Sequence, residues 1–383
     1  MKILLDHTVR EGALARLRYI YEEFPNVYVN FSGGKDSCVL MELAIEVARE
    51  IGRLPVNVMF IDQECEWQVV IDFCRRTAQR DDVNFIWLQC PVDLFNASST
   101  DEPWLHAWEI GRDEDWVRPR ESYSIHENVF DEYRLEPLFE AHMRHHHPNE
   151  KCCRLAGVRV EESPARKMGL TVYPTYKHIT WGAKKDVKRG HYVFHPLYDW
   201  SYTDIWKAIH EGGWDYCHLY DREYQYGIPV IDMRVSNVNH ETALRNLFFM
   251  QEFEPKTWNR ITQRLAGLHA VAQLRSRFIA APKELPVMFS SWQEYRDHLL
   301  ENLITDPKIR GTMRKQFASN DRNFSEVIHH KLWRQHIACI LSNDYHGTKL
   351  NTFVAANGKY LKGGKFKGGM FQGGKLIKEK ANG

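Results

Sequence analysis

No apolar run in this 383-residue chain approaches the ~20 residues that a membrane-spanning helix needs, so no membrane contact is expected. Met1-Lys2-Ile3-Leu4-Leu5-Asp6 meets charge too soon for a secretory signal peptide, which points to the cytoplasm. Cysteine is scarce. The eight thiols (38, 65, 74, 90, 152, 153, 217, 339) have no disulfide-scaffold spacing, and reduced thiols are expected. The G-x-x-x-x-G-K-[ST] spacing of the Walker phosphate loop is also missing. A hydrophobic share of 43% with 26% charged residues describes a soluble globular chain.

What the chain does carry is Ser32-Gly33-Gly34-Lys35-Asp36-Ser37. The stretch follows the short apolar run Val27-Tyr28-Val29-Asn30-Phe31, which reads as a buried strand. It precedes a segment with Val39, Leu40, Leu43 and Val47 on one helical face. Two glycines let the backbone of such a strand-to-helix turn curl against a ligand. The first N–H groups of the helix lack partners and favour an anion. Ser32 and Ser37 add hydroxyls and Lys35 adds positive charge, so a phosphate group is the expected occupant.

Two further runs, Val56–Ile61 and Val83–Leu88, read as buried strands, with helical patterns over 8–23 and from Trp67 to Cys74. Strand alternating with helix predicts an α/β, doubly wound parallel sheet. Ligands bind at the carboxyl ends of such strands, which places Asp62 beside the loop. Residues 91–150 break the pattern and read as an insertion; its Trp104, Trp108 and Trp116 either stack on a base or anchor the insertion. Ser201–Asp204 opens another helix with a capping-box start. From about residue 240 only helical patterns follow, at 241–252, 256–268, 291–304 and 325–341. The expected organisation is a nucleotide-binding domain over 1–235, a helical region over 236–345 and a basic tail over 346–383. That tail holds eight lysines and one glutamate, hence +7, against −6 for the preceding residues. Gly-Gly pairs every five residues keep it from helix. It is a candidate nucleic-acid contact, a docking segment for a regulatory protein or a solubilising appendage.

A second constellation is Gly157-Val158-Arg159-Val160-Glu161-Glu162-Ser163-Pro164-Ala165-Arg166. Two arginines seven apart can grip an anion from different sides. The segment His195–Trp206 follows it. Taken together, S-G-G-x-D-S, G-[IV]-R-x-[DE]-E-S-x-x-R and P-[IL]-x-x-W-[ST]-x-x-D-[IV]-W resemble the N-type ATP pyrophosphatases. That superfamily, with the adenine nucleotide alpha hydrolase-like fold, includes the phosphoadenosine phosphosulfate (PAPS) reductases. Phe24–Phe31 and Glu254-Pro255-Lys256-Thr257-Trp258 resemble the branch typified by immunoglobulin-binding regulator A. The likeness spans roughly 8–270. Cys152-Cys153-Arg154 with Trp181–Asp186 offers an alternative alignment that matches fewer positions and makes Lys184 and Lys185 candidates.

The resemblance implies ATP or a related adenine nucleotide held by Ser32, Gly33, Gly34, Lys35, Asp36, Ser37, Asp62 and Ser163. Lys35, Asp36, Arg159 and Arg166 are the candidate catalytic residues, and Asp36 is also a candidate Mg²⁺ ligand. The implied reaction is cleavage at the α-phosphate, transferring adenylate to an acceptor with release of pyrophosphate. The alternative is a nucleotide-sensing regulatory module. Reduction of a sulfonucleotide is disfavoured, because the only cysteine after residue 270 is Cys339, in an apolar Ala338-Cys339-Ile340-Leu341 setting. With Cys217 standing alone, no iron–sulfur cluster is expected. His142, His146, Cys152 and Cys153 form a candidate structural zinc site, their alternative being chance in a His-rich chain.

Overall fold

The computed structural model describes residues 6–99, 101–163, 166–167, 170, 175–186, 190–235, 237–240, 247–268 and 281–362. The chain forms two compact units. The first holds residues up to 93 and 106–237, the second 94–105 and 238 onward.

The first unit opens on α1 (Val9–Glu23), whose N-terminus is closed by a reciprocal Thr8–Glu11 capping box. Then follow β1 (Asn26–Asn30), α2 (Lys35–Glu50), β2 (Val56–Ile61), α3 (Gln68–Ala78) and β3 (Val83–Leu88). After the short β4 (Val92–Phe95) and β5 (Trp104–Ala107) come α4 (Leu135–His146), β6 (Cys152–Leu155), β7 (Thr175–Tyr176), β8 (Ile179–Asp186) and β9 (His191–Phe194). Helices α5 (Tyr202–Gly212) and α6 (Leu219–Gln225) complete it.

The sheet runs β3-β2-β1-β6-β9-β8-β7. Its first five strands are parallel and the last two antiparallel. The fold is the doubly wound α/β sheet that alternation predicts. Val29 pairs with both Val58 and Leu155, so the apolar centres of three strands lie in register. One face carries Tyr28, Met59, Ile61, Leu88 and Cys152 against Leu138 and Met143 of α4. The chain moves outward from β1 through β2 to β3, then returns to add β6 and β9 on the other side. The reversal lies between β1 and β6, where such sheets open a crevice at the strands' carboxyl ends.

The second unit is helical, as expected: α7 (Leu247–Phe253), α8 (Pro255–Arg264), α9 (Trp292–Leu303), α10 (Pro307–Asn323), α11 (His329–Leu341) and α12 (Thr348–Ala356). Leu300, Met313, Phe317, Leu332, Ile337 and Leu350 share its core. Residues 346–362, expected as tail, belong to this folded unit. Leu350 and Val354 are buried, and Phe324 bridges to Leu361. The Gly-Gly repeats beyond lie outside the described residues, as do 241–246 of the expected 241–252 helix. The strip 94–105 is built into the same unit. Phe95 packs on Tyr345, Ser98 Oγ donates to the Ala266 carbonyl at 2.9 Å, and Asn343 Nδ2 donates to that of Ala97 at 3.1 Å.

Candidate active site

The loop after β1 is shaped by one glycine above all. Gly33 has φ +71°, and a Cβ there would stand 2.8 Å from Val70 Cγ1 of α3. Only glycine meets both demands. Gly34 then occupies the N-cap of α2 without a capping side chain. Tyr220 of α6 compensates: its Oη accepts the Lys35 N–H at 3.0 Å. The Ser37 hydroxyl donates to the Gly34 carbonyl at 2.9 Å and accepts the Ser32 N–H at 3.2 Å. Among the described residues no acceptor meets the N–H groups of Asp36 and Ser37. Two unpaired donors at the positive end of a 16-residue helix are an arrangement that can receive an anion.

The Lys35 ammonium is buried beside them. Nζ donates to the Met233 carbonyl at 3.1 Å, stands 3.7 Å from Asp36 Oδ2 and lies 5.0 Å above the Tyr220 ring. Burial pulls its pKa below the ordinary lysine value, against the opposing charge of Asp36.

The second motif enters at the same crevice, because residues 156–163 leave β6, the neighbour of β1. Gly157 comes so close that a Cβ would meet the Asp36 carbonyl carbon and oxygen at 3.0 Å. Arg159 is buried and joins the two motifs. Its Nε donates to Asp36 Oδ1 and its Nη1 to Glu161 Oε2 at 3.0 Å, while Nη2 lies 3.9 Å from Glu162 Oε1. Glu161 Oε2 also accepts the Tyr202 N–H at 2.7 Å, which ties in the start of α5. Three segments far apart in sequence are thus linked through Arg159 and Glu161. Arg159 is surrounded by the carboxylates of Asp36, Glu161 and Glu162, and its bond to Asp36 ties the second motif to the loop. Burial raises the pKa of Glu162. Arg166 is half exposed, with Nε 3.1 Å from Glu162 Oε2, and Ser163 Oγ accepts its N–H at 3.2 Å.

Asp62 plays a different part. It is fully buried, and its carboxylate accepts from Arg118 Nη2 at 2.6 Å, Trp87 Nε1 at 2.9 Å, Gln89 Nε2 at 3.0 Å and the Glu64 N–H at 2.9 Å. The Arg118 bond fastens the insertion to the end of β2. Trp108 adds its Nε1 on the Asp62 carbonyl at 2.8 Å and its N–H on Glu64 Oε2 at 2.9 Å. Trp108 and Trp116 are buried, so they anchor the insertion and stack on no base. Glu64 is held at φ +65°, a conformation that side chains avoid. Burial, with Asp62 nearby, pushes Glu66 up to about 8.

Asp36 Oδ1 accepts from Arg159 and Oδ2 lies 3.7 Å from Lys35 Nζ, so the carboxylate is flanked by two cations. The expected zinc position does not fit. Among the described residues no three His, Cys, Asp or Glu groups converge on a metal position. The rings of His142 and His146 lie 4.3 Å apart, tilted by 44°, and Cys152 packs with Met143, while Cys153, next along β6, turns to the other face by strand alternation. All eight cysteines are free and buried, and burial raises Cys339 well above the ordinary thiol value. The side chains of Lys184 and Lys185 lie outside the described residues. Tyr220, Met233 and Arg118 were not singled out from sequence, since none sits in a spaced motif.

Residues 26–226, more than half of the chain, match the family model for the phosphoadenosine phosphosulfate reductase domain. Uncharacterized protein YbdN of Escherichia coli K12 is 28% identical over 319 residues, 79% of this chain and 77% of that one. Uncharacterized protein MJ0973 of Methanocaldococcus jannaschii is 26% identical over 221 residues, 57% of this chain and 44% of that one. Among solved structures, Candida glabrata FMN adenylyltransferase with FMN and an ATP analogue superposes with a TM-score of 0.34 at 15% identity, covering 57% of this chain and 63% of its own. The chain therefore spans less than two thirds of that enzyme. Candida auris PAPS reductase, in its phosphate complex, gives 0.33 at 16% identity, with coverage of 57% and 85%.

Proposed function

The chain belongs to the phosphoadenosine phosphosulfate reductase domain family, and we propose that it binds ATP or a close adenine nucleotide at residues 32–37 and cleaves it at the α-phosphate. An acceptor oxygen or nitrogen attacks the α-phosphorus, the bond to the bridging oxygen breaks, and pyrophosphate leaves. The open N–H groups of Asp36 and Ser37 receive the β- and γ-phosphate oxygens. Lys35, whose Nζ donates to the Met233 carbonyl, and the half-exposed Arg166 neutralise their charge. Arg159 keeps Asp36 and the loop in place during the transfer. The single observation that carries this reading is the Asp36–Arg159 pair, which joins two phosphate-directed motifs at the sheet's reversal point.

Calorimetry with ATP tests the site. Lys35→Ala with Ser37→Ala removes charge and hydroxyl donation, each worth about 1.5–3 kcal/mol, so affinity should fall at least about tenfold. Unchanged affinity refutes the site. Incubation with ATP, Mg²⁺ and sulfate or nucleic-acid acceptors, following pyrophosphate and AMP, tests the reaction. Tight ATP binding with no pyrophosphate from any acceptor would replace catalysis by nucleotide sensing.

A further inference from the structure

We propose that the helical unit binds a nucleic-acid backbone along the outer face of α10 and the 359–362 turn beside it. The inference concerns a folded surface far along the chain from the nucleotide motifs and does not depend on their chemistry.

Lys308, Lys315 and Arg322 recur at intervals of seven along α10, which places them on one helical face. All three are exposed, and among the described residues none has an ion-pair partner. The opposite face of the same helix, with Ile309, Met313 and Phe317, is buried in the unit's core. The row is extended at its far end. The Lys362 N–H donates to the Asn323 carbonyl at 2.7 Å, which brings exposed Lys359 and Lys362 next to Arg322. The acidic groups nearest this surface are engaged elsewhere, exposed Glu301 with Arg314 on the flank of the same helix. Asp306 spends its carboxylate on the N–H groups of Lys308 and Ile309, Asp321 takes Arg296 and Trp333, and Asp344 caps α12. Over 305–362 the exposed acid is Glu326 alone.

Seven residues of helix rise span about 10 Å, so the row is roughly 20 Å long. That length covers about six phosphates of one strand of a duplex at ~3.4 Å per step. Unpaired cations in a row on a rigid helix fit such a repeating anion. A lipid surface fits less well. Membrane-surface helices insert an apolar face, and the apolar face of α10 is already used in the core.

The test is filter binding by the full-length protein, with a 20-base-pair DNA duplex and a 20-nucleotide single-stranded RNA as probes, between about 50 and 200 mM salt. The variant Lys308→Gln, Lys315→Gln, Arg322→Gln is compared with the charge-retaining Lys308→Arg, Lys315→Arg, Arg322→Lys. A chain ending at Lys362 separates the folded face from the five lysines that follow. The glutamine variant should bind roughly tenfold or more weakly at low salt, with a log–log slope shallower by about 2–3. The charge-retaining variant should bind like wild type, and the shortened chain should keep most of the slope. Should the triple variant be poorly folded by circular dichroism, Lys308→Gln alone should still lower the slope by about one. The proposal fails if the glutamine variants bind as wild type, if shortening alone abolishes binding, or if wild type binds neither probe. Binding to anionic phosphatidylserine vesicles without binding to either probe also overturns it.

Discussion

Among the described residues of the sheet unit three arginines are buried, Arg118, Arg154 and Arg159, and each faces carboxylates from another element or loop. Among the described residues of the helical unit one arginine, Arg296, is buried in this way, against Asp297, Asp321 and His336, while Lys308, Lys315 and Arg322 on the outer face of α10 have no ion-pair partner. The first unit uses charge internally, to fix which loop meets which strand end. Buried ion pairs add little net stability over apolar packing, but removing one partner leaves the other stranded. Their worth here is positional: Arg159 sets the loop, and Arg118 sets the insertion. The second unit takes its organisation from apolar helix faces and leaves charge on its outside.

The contrast can be broken first at the end of the helical unit. Truncation after Tyr345 strips Leu350 and Val354 from its core. At about 1.5–3 kcal/mol for each buried aliphatic side chain, this should destabilise the unit by roughly 3–6 kcal/mol in urea unfolding. Truncation after Lys362 should leave the midpoint unchanged. An unaltered midpoint for the shorter chain would contradict the packing of α12.

Arg118→Ala tests the internal use of charge. It leaves the fully buried Asp62 without its cation and should cost about 3–5 kcal/mol in urea unfolding. A loss below about 1 kcal/mol would mean that the insertion is held by its tryptophans instead.

Glu66 supplies a pH test in the sheet unit. Its folded pKa is raised from 4.5 to about 8, so the folded chain keeps a proton that the unfolded chain releases. Its contribution is fully present below pH 4.5 and is lost as pH rises to about 8, at about 1.4 kcal/mol per pH unit. Glu66→Gln should flatten that decline and stabilise the protein above neutral pH. An identical pH–stability slope in thermal melts of variant and wild type would count against a buried, protonated Glu66.

Cys339→Ser should have the smallest effect. The thiol is buried and held neutral, so pyrophosphate release should be unchanged and stability should drop by about 1 kcal/mol. Lost activity in a folded variant would restore thiol chemistry to consideration.

Much of the sheet was legible from the chain alone. The runs 56–61 and 83–88 coincide with β2 and β3, because short apolar β-branched segments have few other ways to be buried. Both motifs, at 32–37 and 157–166, could be found by residue type and spacing. Their junction could not: the Asp36–Arg159 pair spans 123 positions and exists only once β6 lies beside β1. Asp62 was placed at the right edge, yet its partner Arg118 lies in an irregular loop with no periodicity to mark it. Helix α10 escaped notice because Ile309, Met313 and Phe317 are diluted by Gly311 and by polar residues. The destination of residues 94–105 is a tertiary fact, set by Asn239, Ala266 and Asn343 far downstream.

That strip has a consequence in time. Residues 94–105 leave the ribosome roughly 130 residues before the rest of the unit they complete begins at residue 238. At about 5–20 residues per second, Phe95 and Trp104 wait on the order of ten seconds for the helices that will cover them. The sheet unit on both sides of the strip can mature in that interval. The helical unit cannot, and residues 238–383 made as a separate fragment would lack a piece of their own core. Supplying 94–105 in trans as a peptide, or closing the gap by circular permutation, becomes the condition for studying that unit alone.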